Sequence, residues 1–332
     1  MEDKRGRPLR DLRISIIDSC NFRCNYCMPK DKISFAESNF LSKKQWLTVD
    51  EIVKVAKLFT NLGVQKIRIT GGEPLLRPDL PEIIRELVKI PEIKDLSLTT
   101  NGYFLKEKAE ELKDAGLHRI TVSLDSLNVK TFEKITSQKK VLYKVLDGIN
   151  EASAVGFSAI KINTVIQRGV NDQDIMPLIE YFKGTNIILR FIEFMDVGNI
   201  NDWNVDSVVP TKEILNIIQE NYLLEPVEPN YYGEVASRYR YQDGDGEVGF
   251  ISSISQPFCR SCNRARITCG GLFYSCLFSS KGFALKPILN QPEQKILETL
   301  KNLWLKRDDR YSEFRNQSTN KVNKAEMYKI GG

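Results

Sequence analysis

The sequence predicts an α/β chain: an open partial TIM barrel of the (β/α)6 type, followed by an α+β extension with a cysteine cluster of its own. Three observations carry that prediction. Short apolar runs alternate with segments of helical period, the βαβα pattern of a parallel sheet. Six such units fit in about 185 residues, without the two more that would close a full barrel. Polar residues able to hold ligands fall where the strands end. A doubly wound sheet is the rival, and periodicity alone leaves it open.

Leu12 to Ile17 reads as the first strand. After a polar stretch from Lys30 to Lys44, Thr48-Val49-Asp50-Glu51 has the form of a capping box. Ile52, Val55, Ala56 and Phe59 then share one helix face, and Gly63 ends the helix. Lys66 to Thr70 is the second strand, running into Gly71-Gly72-Glu73-Pro74, and Asp79 caps a helix reaching Ile90 with Pro81 in its first turn. Asp95 to Thr100 is the third strand, with a helix from Leu105 to Ala115 stopped by Gly116. His118 to Leu124 is the fourth, followed by a helical stretch to Gly156, and the lone His118 reads as structural. Ala159 to Ile166, a helix from Asp172 to Phe182, and Ile187 to Met195 complete the barrel units.

Beyond Met195 the rhythm breaks. Asp196 to Pro210 reads as loop and Thr211 to Asn221 as helix. Val235 to Tyr241 and Glu247 to Ile254 read as strands around Asp243-Gly244-Asp245-Gly246. A helix runs from about Pro292 to Leu305, and Lys306 to Lys324, polar and charged, reads as mobile. The expected division lies near residue 200, giving a barrel over 1–200 and an extension over 201–332.

Composition narrows the class. The 332 residues carry 48 Lys and Arg against 43 Asp and Glu, a net charge of +5 that suits an anionic ligand but is too small to argue for nucleic acid. Met1 to Arg13 is charged and lacks an apolar core, so neither a signal peptide nor a membrane anchor is expected there. Seven cysteines in such a chain read as metal or redox ligands in a reducing cytoplasm rather than as disulfides.

Cys20, Cys24 and Cys27 follow the first strand. Three thiolates at this spacing can converge on one object, and soft sulfur selects iron–sulfur clusters, zinc or copper(I). A [4Fe–4S] cluster held by three ligands leaves one iron open, whereas the blander reading is partly buried thiols or an incomplete zinc site. The motif Cys-x3-Cys-x2-Cys, with aromatic Tyr26 before the last cysteine, resembles the signature of the radical S-adenosylmethionine enzymes. The resemblance implies an open iron that chelates S-adenosylmethionine, which is cleaved to a 5′-deoxyadenosyl radical. It further implies that Tyr26, Gly72, Ser123 and Met195 line that cofactor.

Cys259, Cys262 and Cys276 repeat the three-cysteine logic near the other end, with Cys269 inside the interval. Four thiolates would suit structural zinc, but Arg260, Arg264 and Arg266 crowd the cluster as a polyanion site would require. Cys259-Arg260-Ser261-Cys262-Asn263-Arg264-Ala265-Arg266, the 13-residue gap to Cys276 and the final Ile330-Gly331-Gly332 resemble the GTP-cyclising branch of that superfamily, which opens molybdenum cofactor biosynthesis. So do Arg68 to Pro74, Thr99 to Gly102, Lys161 to Thr164 and Phe191 to Gly198.

This closer resemblance implies a second [4Fe–4S] cluster whose open iron takes guanine. It places Arg13, Arg68, Thr99, Lys161, Arg264, Ala265 and Arg266 on GTP, with Lys161, Arg264 and Arg266 assisting catalysis and the Gly-Gly tail entering the site. An external electron donor, a downstream cyclic pyranopterin monophosphate synthase and a homodimer are expected with it. Cys269 stands where relatives carry a polar residue and reads as a bystander. A peptide-modifying radical enzyme and a non-catalytic iron–sulfur or zinc protein are the alternatives.

Overall fold

The computed structural model describes residues 1–30, 40–315 and 323–331. Six parallel strands alternate with helices: β1 (Asp11–Ser15), α1 (Val49–Asn61), β2 (Lys66–Thr70), α2 (Leu80–Val88), β3 (Asp95–Thr100), α3 (Leu105–Asp114) and β4 (Arg119–Ser123). Then come α4 (Val129–Thr136), α5 (Leu142–Ala154), β5 (Ile160–Ile166), α6 (Ile175–Phe182) and β6 (Ile188–Glu193). One expected cap is not made: the Asp79 carboxylate accepts from Arg77 at 2.7 and 3.0 Å instead of from the first turn of α2, while other local signals act as expected. Glu51 N donates to Thr48 Oγ1 at 3.2 Å while Thr48 N donates back to Glu51 Oε2 at 2.8 Å, closing the capping box of α1. Asn128 caps α4, which ends at Ser137 in the left-handed region, so the stretch to Gly156 is two helices.

The later elements are α7 (Thr211–Gln219), β7 (Leu224–Val227), β8 (Ser237–Tyr241), β9 (Glu247–Ile251), β10 (Arg264–Ile267), β11 (Leu272–Tyr274) and β12 (Phe283–Ala284). They are followed by α8 (Glu293–Leu305) and the short α9 (Tyr311–Phe314) and α10 (Met327–Ile330). Their strands build no separate sheet. The order is β12-β11-β10-β1-β2-β3-β4-β5-β6-β9-β8-β7, so the late strands extend the barrel sheet at both edges. β10 lies parallel to β1 with Arg264 opposite Asp11, and β9 lies parallel to β6. Eight parallel strands thus surround the lumen, and the sheet stays open, as the six-unit pattern predicts.

Both faces of these strands are covered, but only one is apolar. Leu12, Ile14, Ile67, Ile69, Leu98, Val122, Ile162, Leu189, Ala265 and Ile267 face outward into the core under the helices, each contributing about 1.5–3 kcal/mol if its size is that of Val or larger. The alternate positions, Arg13, Arg68, Thr99, Asn163, Arg190, Arg264 and Arg266, turn inward. A strand that is apolar on one side and cationic on the other requires a polar lumen, which is what the barrel encloses.

One segment departs from expectation, Lys306 to Lys324, of which 316–322 lie outside the described residues, and the start of the chain behaves like it. The charged start holds Arg7 fully buried, with Trp304 Nε1 donating to its carbonyl at 3.1 Å. The charged stretch after α8 is anchored where described: Arg307 is 4 % exposed, and Tyr311, Arg315 and Lys324 all bond Asp196. Charge without periodicity looks like a solvated tail in sequence, yet here it fills a polar interior.

Candidate active site

The lumen holds a cavity of about 300 Å³ that runs from one cysteine triad to the other. Cys20, Cys24 and Cys27 follow β1 at its C-terminal end, while Cys262 precedes β10 and stands near the level where β1 begins. With ~3.3 Å per strand residue, the two ends lie roughly 20 Å apart. Of the sequence-predicted site residues, all six ligand cysteines, Tyr26, Gly72, Ser123, Met195, Arg13, Arg68, Thr99, Arg264 and Arg266 line this one cavity. Lys161 stands on the same inward face of β5 as Asn163. Ala265 does not: strand alternation turns its methyl outward, where it is 0 % exposed in the apolar core.

The middle of the cavity is cationic, and Asp11 and Glu234 on its wall neutralise only part of that charge. Among the described residues, Nε of Arg13, Nε of Arg68 and both Nε and Nη2 of Arg190 are buried without a hydrogen-bond partner. Burial lowers the pKa of Arg190 to about 9, helped by Arg68 and Arg119. Burial likewise lowers Lys161 to about 7, with Arg190, Arg119 and Lys66 adding to the shift. Arg266 falls to about 10 from burial and the charge of Arg264. Leaving buried guanidinium donors unsatisfied costs several kcal/mol in the free protein, so the arrangement is arranged for an anion with several acceptor oxygens. Arg190 and Lys66 were missed in the sequence. The available signal was a charged residue between apolar neighbours within a strand, Leu189-Arg190-Phe191.

The end holding the first triad carries two buried carboxylates, Glu73 and Asp125, with Arg23 from the cysteine loop beside the thiols. Gly72 is needed there because a Cβ would collide with the Ser19 carbonyl, so the glycine lets the loop after β2 pack on the cysteine loop. Glu73 accepts from Thr100 Oγ1 and Asn101 N, both at 2.7 Å, and burial raises its pKa to about 7. Tyr26 Oη donates to Asp125 Oδ2 at 2.7 Å, and burial raises Asp125 to about 6. Burial and Glu73 push the Cys20 thiol up to about 12, and Cys24 rises through burial, Asp125 and its fellow cysteines. Three soft thiols that repel one another when ionised are fitted to share one electron-poor metal cluster.

The second triad has different surroundings. Burial works to raise Cys262, but Arg264 and Arg307 overcome it and pull the pKa down to about 6. Cys276 is pushed up to about 12 by burial and Asp309. Cys269 takes no part. It follows β10 while Cys262 precedes it, lies outside the cavity lining at 1 % exposure, and its carbonyl accepts from Leu47 N at 2.7 Å. A four-thiolate zinc site across β10 is therefore not formed. Among the described residues no three His, Cys, Asp or Glu side chains gather closely enough for a single metal ion. The final described residues also reach the lumen: Arg266 Nη1 donates to the carbonyl of Gly331, and a Cβ on Gly331 would collide with Thr70. Gly332 lies outside the described residues, as does most of the Lys30 to Lys44 stretch.

Known proteins match this arrangement. The Radical SAM superfamily matches residues 14–182 and the Molybdenum Cofactor Synthesis C family residues 187–313. A protein of Xanthomonas axonopodis pv. citri described as GTP 3′,8-cyclase is 47% identical over 332 residues, spanning 100% of this chain and 99% of its own length. The chain belongs to the GTP 3′,8-cyclase family. A second member, from Staphylococcus saprophyticus subsp. saprophyticus, is 48% identical over 336 residues, covering 99% of this chain and 98% of its own. The family shares its fold more widely: Streptococcus suis SuiB, solved with precursor peptide SuiA, superposes with a TM-score of 0.61 at 16% identity, covering 94% of this chain and 67% of its own. Radical SAM membership implies one [4Fe–4S] cluster and S-adenosylmethionine in this GTP 3′,8-cyclase relative. Among the described residues no helix is long and apolar enough to cross a membrane.

Proposed function

We propose that this chain converts GTP to (8S)-3′,8-cyclo-7,8-dihydro-GTP, the first step of molybdenum cofactor biosynthesis, as the name of its relatives at 47% identity suggests. One observation supports this reading above the rest: buried guanidiniums with unpartnered nitrogens lie between two cysteine triads in a single lumen. A peptide substrate, suggested by the shared fold with SuiB, gives no use for that concentration of positive charge.

Cys20, Cys24 and Cys27 would hold the first [4Fe–4S] cluster, and Cys259, Cys262 and Cys276 a second. Bound at the first triad, the cluster and S-adenosylmethionine would supply a 5′-deoxyadenosyl radical that takes the C3′ hydrogen of GTP. Tyr26, Gly72, Ser123 and Met195 would border that cofactor, and the carboxylates of Glu73 and Asp125 suit its positive charge. Arg13, Arg68, Lys66, Lys161 and Arg190 would bind the triphosphate, with Thr99 beside them. Arg264 and Arg266 would fix the nucleoside near the second triad, and an arginine is the candidate for stabilising charge while C3′ joins C8. Ala265 would contribute backbone alone. The lumen and the Gly331 segment would limit water at the reacting atoms.

An external electron donor would complete the redox balance, and a cyclic pyranopterin monophosphate synthase would consume the product. We read the protein as cytoplasmic and able to form a homodimer, with the division near residue 200 separating the first triad from the second, while the residues for GTP come from both sides of it. The test is anaerobic incubation of the iron-reconstituted protein with S-adenosylmethionine, reductant and each nucleoside triphosphate, followed by mass spectrometry. Cyclised GTP and 5′-deoxyadenosine are expected, both lost with Cys24→Ala. 5′-Deoxyadenosine with no nucleotide product would overturn the substrate.

A further inference from the structure

Two buried arginines from segments that carry no predicted site residue brace the second triad. Arg7 is 0 % exposed and its Nη1 donates to the carbonyls of Cys259 and Asp309, each at 2.9 Å. Arg307 is 4 % exposed, and its Nη1 donates to the Cys262 carbonyl at 2.7 Å while Nη2 reaches Cys262 Sγ at 3.2 Å. Asp309 fixes that guanidinium with contacts at 3.1 and 3.2 Å, and Ser275 Oγ donates to the same carboxylate at 2.9 Å. Asp3 adds an ion pair at 3.6 Å, and the Trp304 ring lies 4.5 Å beneath the guanidinium. Arg307 cannot turn away from the sulfur without breaking several buried contacts at once.

We propose that Arg307 is a positioning residue for the second cluster: its bond to Cys262 Sγ orients that ligand and sets the reduction potential of the iron held there. This rests on the reading that Cys259, Cys262 and Cys276 hold a cluster. A donor to a ligand sulfur and a nearby positive charge both stabilise the reduced, more negative cluster, so they raise its potential. Without Arg307 the Asp309 carboxylate would keep only Ser275 at 2.9 Å and Arg7 at 4.0 Å, leaving its charge less compensated beside the cluster and driving the potential the same way, downward, while Asp3 keeps its pair with Arg7.

The test uses the full chain with Cys20, Cys24 and Cys27 replaced by alanine, so that iron reports one site. Iron and sulfide are assayed and the cluster is titrated by electron paramagnetic resonance, with circular dichroism checking the fold. With Arg307 intact, four irons per chain are expected. Absence of iron there sinks the second-cluster reading itself. Given iron, Arg307→Met is expected to shift the potential to more negative values, and Arg307→Lys to recover part of the shift because it keeps the charge. Loss of the cluster from the Met variant but not the Lys variant, both natively folded, also supports the assignment. Equal potentials in all three proteins, or equal loss from both natively folded variants, overturn it.

Discussion

The two cysteine triads stand at opposite ends of one barrel, and the charges around them are weighted differently. At the first, burial followed by Glu73 and Asp125 pushes up the thiols of Cys20 and Cys24, with Arg23 opposing at Cys20. At the second, Arg264 and Arg307 pull Cys262 down to about 6. The difference teaches that the protein around a triad fixes which molecule meets it: buried carboxylates suit a sulfonium cation, and a basic lumen suits a polyphosphate. Spacing in sequence shows a triad and leaves this undetermined.

Removing one end altogether gives the largest expected effect. Cys24→Ala should abolish 5′-deoxyadenosine formation while the irons proposed for Cys259, Cys262 and Cys276 persist; loss of all iron would show that the ends are not independent. Next comes the basic lumen. Arg190→Met should weaken GTP binding about 100-fold, from ~1.5–3 kcal/mol per charge-assisted bond, as calorimetry would read. The same change should raise the melting temperature of the ligand-free protein, because it deletes a buried charge with unpartnered nitrogens. A fall in both would mean that Arg190 is structural.

Lys161 sharpens the contrast through pH. Burial and Arg190 lower its pKa to about 7 in the fold, from 10.5 when free. Below pH 7 the lysine is charged in both folded and unfolded chains, so its cost to stability is fully present. Between 7 and 10.5 the unfolded chain holds more protons and ligand-free stability rises with pH. GTP affinity should move oppositely, weakening several-fold from pH 6 to 9, and Lys161→Met should flatten both trends in titration and melting experiments. The smallest effect is expected at the end holding the first triad: Asp125→Asn should weaken S-adenosylmethionine binding a few-fold in equilibrium dialysis and leave GTP binding unchanged.

The barrel strands were legible because each alternates or runs apolar between helical segments. β10 was not, although Arg264-Ala265-Arg266-Ile267 alternates perfectly. Its arginines, read next to cysteines, look like a basic loop, and nothing local reports that residue 264 pairs with residue 11 across the whole chain. Arg190 was concealed by its apolar neighbours, and Arg7 and Arg307 by charged stretches without period. The cysteines, glycines and Lys161 were found because motifs quote them together. The residues that set the charge around those motifs come from distant segments, where sequence gives no sign of proximity.

The sheet order bears on how the chain is made. Once β6 has formed, β1 and β6 are both open edges, and the strands that cover them, β10 and β9, lie 54 or more residues further along. At ~5–20 residues per second, the last of these follows roughly four to fifteen seconds later. Through that interval the nascent barrel exposes two parallel edges and a ring of charged side chains with no partner sheet. The lumen is therefore completed late, and a polypeptide stalled or cut between β6 and β10 should aggregate rather than persist as a half-enzyme.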